Sequence, residues 1–441
     1  MADYHLLKPK ALESKEHPNT RYMLWFCALY GLASAISLMG IFDAYLFVQS
    51  NNSNSTVGLA ESMSGITQVL VVLPAGYLCD TFSRARILKG CAVFSLLYVV
   101  TAIYAIYNDN MTFIYASLVL GGVYCAVQNA ASFALFSDSV SQGERAQWMS
   151  KVAMVTQISM GAGPLLGVVL FQVLGDDWKL PILHTILIIG FVLMIPANMC
   201  LWNWTDVKPL EESVPDCMHS AGQGVRRCFS FVPYLVCLND LVTCIGAGMT
   251  VKFFPLFFKN DYGFSPTQLQ SLFTVYCLTF ALFTWMCEKV AGRIGRVQST
   301  MVFALSGTCC LFGLAYVESL PVVILVFILR GAFQNSIYPI DRSIIMDFVP
   351  TEQRGRWNSV ESISAMTWSG SAVIGGYLMD SHDYRFTFVI TGWIYLCACV
   401  LRIPLLFLVP KSEKFVTERK IRLANLDSLR SPLSPGRQFP Q

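Results

Sequence analysis

Of 441 residues, 54% are hydrophobic and only 13% charged, and the mean hydropathy is +0.53. A soluble domain carries about 25% charged residues, so this chain lacks the polar groups to cover a water-facing surface. The net charge of +3 offers nucleic acid no basic face. The fifteen cysteines and five histidines show no metal-ligand or redox spacing, and neither metal nor cofactor is expected.

In chain order, a polar tail (1–21) leads into a full-length apolar block expected to act as its own insertion signal. Blocks long enough to cross a bilayer follow at 22–48, 57–80, 86–107, 111–137, 147–174 and 180–202. A polar central loop (203–231) separates them from blocks at 232–258, 266–287, 298–317, 320–346, 356–379 and 385–409. A basic, polar tail (410–441) closes the chain and is expected to be disordered. The pattern predicts an all-α membrane protein with twelve transmembrane helices. With both termini in the cytoplasm, 25 of the 31 Lys and Arg residues fall on cytoplasmic segments and three on outer loops, as the positive-inside rule requires. The sequons at Asn51, Asn54 and Asn110 fall on predicted outer loops, which suits glycosylation.

The two sets of six blocks repeat one another. Asp138, Arg145 and Trp148 recur 209 residues later as Asp347, Arg354 and Trp357, and Gly161 and Gly167 recur as Gly370 and Gly376. The second six spans therefore read as a copy of the first, giving two pseudo-symmetric six-helix bundles. The same offset joins Asp43 in span one to Lys252 in span seven, at matching depth. Ionisable groups inside a bilayer cost about 2.5 kcal/mol or more, so each needs a partner or a wet cavity. Asp43 and Lys252 suit a salt bridge near the outer mouth, or each could face headgroups at its helix end. Arg330 lies near the middle of span ten, with Gln334 one turn on. It could bind an anionic substrate bidentately or pair with Glu361 of span eleven. Asp240, early in span seven, is either a proton site or a cytoplasmic anchor. Arg402 reads as a snorkelling residue.

Between spans two and three stands Gly76-Tyr77-Leu78-Cys79-Asp80-Thr81-Phe82-Ser83-Arg84, and after span eight Gly292-Arg293-Ile294-Gly295-Arg296. With the repeat, these motifs resemble those of the major facilitator superfamily over residues 20 to 410. The first copy departs from the family pattern at Thr81, Ser83 and Ala85. The resemblance implies that Asp80 and Arg84 close the cytoplasmic side, against a span-eleven end that carries Arg354 and Arg356. In that gate Gly76, Asp138, Arg145, Arg293, Arg296 and Asp347 would be supporting positions. Span five, with Gly161, Gly163, Pro164 and Gly167, resembles part of the superfamily's drug:proton antiporter element, and plain helix packing explains the same residues.

The expectation is a secondary transporter for a small organic solute, proton-coupled, working as a monomer in a lipid bilayer. A uniporter for an organic anion, or a non-transporting sensor or scaffold, are the competing readings. No zinc-protease helix, nucleophile elbow or phosphate-binding loop is present, so catalysis is not expected. Short sorting-like motifs around Asp3 to Leu7 leave the choice between plasma membrane and endolysosomal or vacuolar membrane open.

Overall fold

The computed structural model describes residues 17–140, 145–207, 223–348, 354–409 and 411. The side chains of Asp80, Arg145, Asp347, Arg354, Arg356 and Glu361 fall outside that description, and with them those parts of the expected gate and of the Arg330 pairing. The spanning helices are α1 (Pro18–Ser37, continued as Gly40–Gln49), α2 (Asn54–Thr81), α3 (Arg84–Tyr107), α4 (Met111–Asp138), α5 (Arg145–Leu174) and α6 (Leu180–Met199). After the central loop come α7 (Gln223–Thr250, continued as Phe254–Tyr262), α8 (Pro266–Ile294), α9 (Arg296–Tyr316), α10 (Leu320–Asn335, continued as Tyr338–Phe348), α11 (Arg354–Ser381) and α12 (Tyr384–Leu408).

Eleven of these are long and apolar enough to cross a bilayer. The twelfth, α11, is richer in Ser, Gly and charged residues, and it packs along α2. The protein is an integral, multi-pass membrane protein. Helix α7 starts at Gln223, ahead of its apolar span, which begins at Phe231.

Short polar turns set the helix starts. Ser53, Ser83, Asn110, Ser265 and Asp383 each accept a hydrogen bond from a first-turn backbone N–H, and Ser265 completes a capping box with Gln268. Two helices are broken at matching depth. In α1 the break lies at Leu38–Met39, and in α7 a 3-10 turn spans Val251–Phe253. The continuations touch: a Cβ added at Gly40 would stand 3.1 Å from Pro255 Cγ.

The halves meet along two seams, α2 with α11 and α5 with α8. We call the end carrying Pro18 and Lys411 the terminal face, and the opposite end the far face. Toward the far face one continuous apolar core runs through both halves, from Ile41, Phe47 and Phe171 to Phe254, Phe257 and Phe388. Toward the terminal face there are two cores. One, around Met23, Leu88, Tyr124 and Trp204, belongs to the first half, and the other, around Val236, Phe303, Ile344 and Leu405, to the second.

Candidate coupling site and gates

Lys252 sits in the 3-10 turn of α7. Its Nζ lies 2.8 Å from Glu61 Oε2 of α2, and 5.0 Å from the ring centroid of Trp368 on α11. The ion pair thus crosses from one half to the other. Asp43, in the first turn of the second segment of α1, is buried within electrostatic reach of both groups. Asp43 is 2% exposed, Glu61 9%, and Asp43 Oδ1 is buried without a partner.

The bridge expected between Asp43 and Lys252 is therefore a trio in which Glu61 takes the lysine and Asp43 stands within electrostatic reach of both. Glu61 escapes a search of the sequence for charged partners related by the repeat. The residue 209 positions on is Gln270, an uncharged homologue, whose side chain would lie 3.1–3.2 Å from a Cβ added at Gly167 on the other seam. An acid at 61 matched by its amide at 270 was the available signal.

Glycines hold the far-face seams tight. A Cβ at Gly58 would fall 2.3 Å from Ala372 O, at Gly65 2.1 Å from Ser369 Cβ, and at Gly376 2.4 Å from Asn54 O. Of the residues expected to pack or hinge, Gly161 and Gly167 face α8, and Gly163 packs on Ala35 within the first half. Pro164 lies inside α5, and Gly370 has open space. Gly76, toward the terminal end of α2, meets nothing within 4 Å.

Two carboxylates latch this face. Asp380, at the end of α11, accepts from the N–H groups and side chains of Asn54 (2.9 Å each) and Ser55 (2.8 and 2.6 Å), and from Ser53 Oγ at 3.4 Å. It thereby covers the positive N-terminal end of α2. Asp176, just past α5, accepts from Thr267 N–H (2.8 Å) at the N-terminal end of α8. Partial burial pushes this carboxyl up, but the polar groups of Ser265 and Thr267 beside it, the bonded Thr267 N–H among them, outweigh it and hold it below the usual range. Trp178 donates to Phe264 O at 2.9 Å, and Lys259 lies over the rings of Phe47 and Trp178.

This closure corrects one glycosylation expectation. Asn54 is 6% exposed, its Nδ2 donates to Asp380, and its Oδ1 accepts from Tyr384 (3.0 Å), so no glycan fits there in this conformation. Asn51 and Asn110 are exposed, and Asn110 caps α4.

At the terminal face, Arg84 pairs with Asp138 of α4, inside the first half, and Asp206 accepts from Ala85 N–H at 2.9 Å. Arg293 is exposed, while Arg296 is buried with Ser343 Oγ at 3.5 Å. Arg402 is not a snorkelling residue. It is 6% exposed and binds Asp341 through both terminal nitrogens, with Asp240 in electrostatic reach. A fork that matches a carboxylate this way gains two charge-assisted hydrogen bonds and repays burial. Between α1, α4 and α5 lies a cavity of about 210 Å³, lined by Phe26, Tyr30, Ser34, Gln128, Asn129 and Met160 among other uncharged residues.

Two six-helix bundles that share one apolar core at the far face and keep separate cores among the described residues of the terminal face, with an ion pair between them, have the architecture of a polytopic membrane transporter. The model of the Major Facilitator Superfamily matches residues 24–220 and 236–437, and the chain belongs to that family. Among curated relatives, multidrug resistance protein 2 of Bacillus subtilis (strain 168) is 21% identical over 293 residues, which is 65% of this chain and 70% of that protein. The multi-drug resistance efflux pump PmrA of Streptococcus pneumoniae is 25% identical over 172 residues, which is 37% of this chain and 42% of the pump. Among solved structures, a D-xylose–proton symporter shares the fold with a TM-score of 0.67 at 14% identity, over 89% of this chain and 98% of that one. The human organic anion transporter MFSD10 does so with a TM-score of 0.62 at 16% identity, over 87% and 98%.

Proposed function

We propose that this protein is a proton-coupled secondary transporter that moves a small organic solute by alternating access. The Lys252–Glu61 pair, with Asp43 attached, carries the reading. It lies where the two halves touch, so it cannot survive opening of the far face. With one of the two acids protonated and an ammonium opposite, the trio is neutral, a requirement for a buried cluster. Opening the far face withdraws Lys252 and leaves two acids to take or keep protons from that side. Closing it returns the ammonium and favours release of one proton. That cycle ties proton movement to conformation without further parts.

By the positive-inside rule the terminal face is cytoplasmic, so the face closed in this structure is the outer one. The names of the curated relatives support outward movement of organic solutes. In this reading Asp240, bound up with Arg402 and Asp341, anchors the bundle and carries no proton for transport. Asn51 and Asn110 are the sequons free to carry glycans.

The test is accumulation of solutes from a metabolite pool into proteoliposomes, read by mass spectrometry with and without a pH gradient. Accumulation that needs the gradient, and is lost in Asp43→Asn and Glu61→Gln, supports the reading. Equilibration indifferent to the gradient and to both substitutions sinks it and leaves a uniporter. That second reading is favoured by one observation, the buried cation at Arg330.

A further inference from the structure

Arg330 is 2% exposed in α10, and its described partners are aromatic. One terminal nitrogen donates to Tyr395 Oη at 3.2 Å, and Cζ lies 4.8 Å from the Phe254 ring centroid. Nε is buried with no hydrogen-bond partner, and no carboxylate of a described residue lies within ion-pair distance. Cation–π contacts and phenol oxygens offset only part of the cost of burying a full charge, and a guanidinium left with a free N–H edge is a receptor for an oxyanion.

The surroundings supply a way in. Tyr276 of α8 lies flat against Gly331, where an added Cβ would come within 1.8 Å of its ring, and stacks on Phe327 at 5.2 Å. Its hydroxyl, in electrostatic reach of Arg330, accepts from Nδ2 of the exposed Asn335 at 2.7 Å. Tyr276 therefore stands between the buried cation and an exposed polar edge, held by one hydrogen bond to a surface side chain. Glycine at 331 is what lets the ring lie there.

We propose that Arg330, with Tyr276 and Tyr395, binds the oxyanion head of an organic monoanion, a carboxylate or sulfonate whose apolar body lies against Phe254 and Phe327. Tyr276 turns aside to admit it. This rests on the transporter reading for its purpose, but binding is measurable without flux. It also assigns two cations different work: Lys252 answers protons, and Arg330 answers the solute.

The test uses the full chain, purified in detergent, and follows thermal unfolding with phenylacetate, phenylmethanesulfonate, the neutral phenylacetamide and the cationic phenethylammonium as probes. A dose-dependent rise in Tm with either anion, absent with the amide and the amine, is expected. Arg330→Gln should weaken the apparent anion affinity at least tenfold, and Arg330→Lys less. Unliganded Arg330→Gln should unfold at the same temperature as the parent or higher, because removing an unpaired buried charge relieves a cost. Three outcomes overturn the proposal. Equal stabilisation by the amide would, and so would no response to either anion. An unliganded Arg330→Gln that unfolds well below the parent would show a structural arginine instead. Glu361→Gln should not change the anion response; a stronger response would mean that Glu361 already neutralises Arg330, and would also overturn it. Arg330-dependent binding of phenylacetate without any flux of it in proteoliposomes would leave this site standing and fail the transport reading instead.

Discussion

The far face and the terminal face of the same two bundles are built on opposite principles. At the far face a single apolar core crosses between the halves, and glycine-lined seams, two carboxylate latches and one buried ion pair hold it together. At the terminal face each half has a private core, and the described ion pairs Arg84–Asp138 and Arg402–Asp341 both stay within one half. The difference teaches where the movable joint is. Contacts inside a half survive rigid rotation of the bundles, whereas every contact across the far face must be remade in each cycle. In the proposed cycle, contacts of the second kind are individually weak, and the buried trio is the one that protons would tune.

The ion pair is where this comparison breaks most sharply. Replacing Lys252 with Ala leaves two carboxyl groups buried without a counter-ion, and removal of one partner of a buried pair costs about 3–5 kcal/mol. We expect gradient-driven accumulation to be lost and Tm to fall by several degrees in the single variant. Lys252→Met combined with Glu61→Gln should regain most of the stability but none of the coupling, as read by unfolding scans beside proteoliposome uptake. A double variant that still accumulates solute would separate the pair from the coupling step.

Next in size is the seam. Gly65→Val places a side chain where Ser369 already stands, and over-packing of this kind costs about 1–3 kcal/mol, charged only to the far-closed state. Since about 1.4 kcal/mol is tenfold in a population ratio, the variant should shift the protein toward the far-open state by roughly five- to a hundredfold. Spin-label distances across the far face would report it. The matching change at Gly76, which has open space around it, should leave the distribution within a few tenths of a kcal/mol.

Much of this architecture could be read in the sequence, and the reason is periodicity. Apolar runs long enough to span, Ser and Asn caps between them and the 209-residue offset together gave the twelve helices and the two halves. The offset also placed Asp43 and Lys252 at one depth. What it could not give is a contact between non-equivalent positions. Glu61 meets Lys252 because α2 and α7 converge at the broken segments, and its repeat partner Gln270 carries no charge to betray it. Asn54 reads as a sequon in one dimension, yet in three it is held by Asp380 and Tyr384, which lie more than three hundred residues away. Arg402 sits near a helix end in sequence, where snorkelling is the ordinary outcome. Only the fold, which sets both α10 and α12 against α7 and α9, brings Asp341 to it.

Asp380→Ala should come third. It strips the acceptor from Asn54 and Ser55 and uncovers the N-terminal end of α2. Hydrogen bonds to a charged group contribute about 1.5–3 kcal/mol, less at this exposed edge. A shift toward the far-open state smaller than that of Gly65→Val is expected, by the same spin-label distances. Asn54 would be freed with it, so a glycan at that sequon in Asp380→Ala, absent in the parent, would show by mass that the latch had opened.

Asp176→Asn gives the smallest effect and the sharpest use of pH. One carboxylate at a helix N-terminus contributes about 0.3–1 kcal/mol at an exposed site, so the ratio of far-open to far-closed populations should move by less than a factor of about five. The sign of its pH dependence follows from its depressed carboxyl. A group held below its ordinary value in the closed state favours that state at all pH above its usual range, and the contribution is lost only as pH falls through the depressed value. Between pH 5 and 8 this latch is therefore constant. A change in far-face opening across that window that persists in Asp176→Asn and vanishes in Glu61→Gln with Asp43→Asn would belong to the buried trio rather than to this latch or to the His184–Asp109 pair. A pH dependence that disappeared with Asp176 instead would move the proton switch from the centre of the protein to its rim.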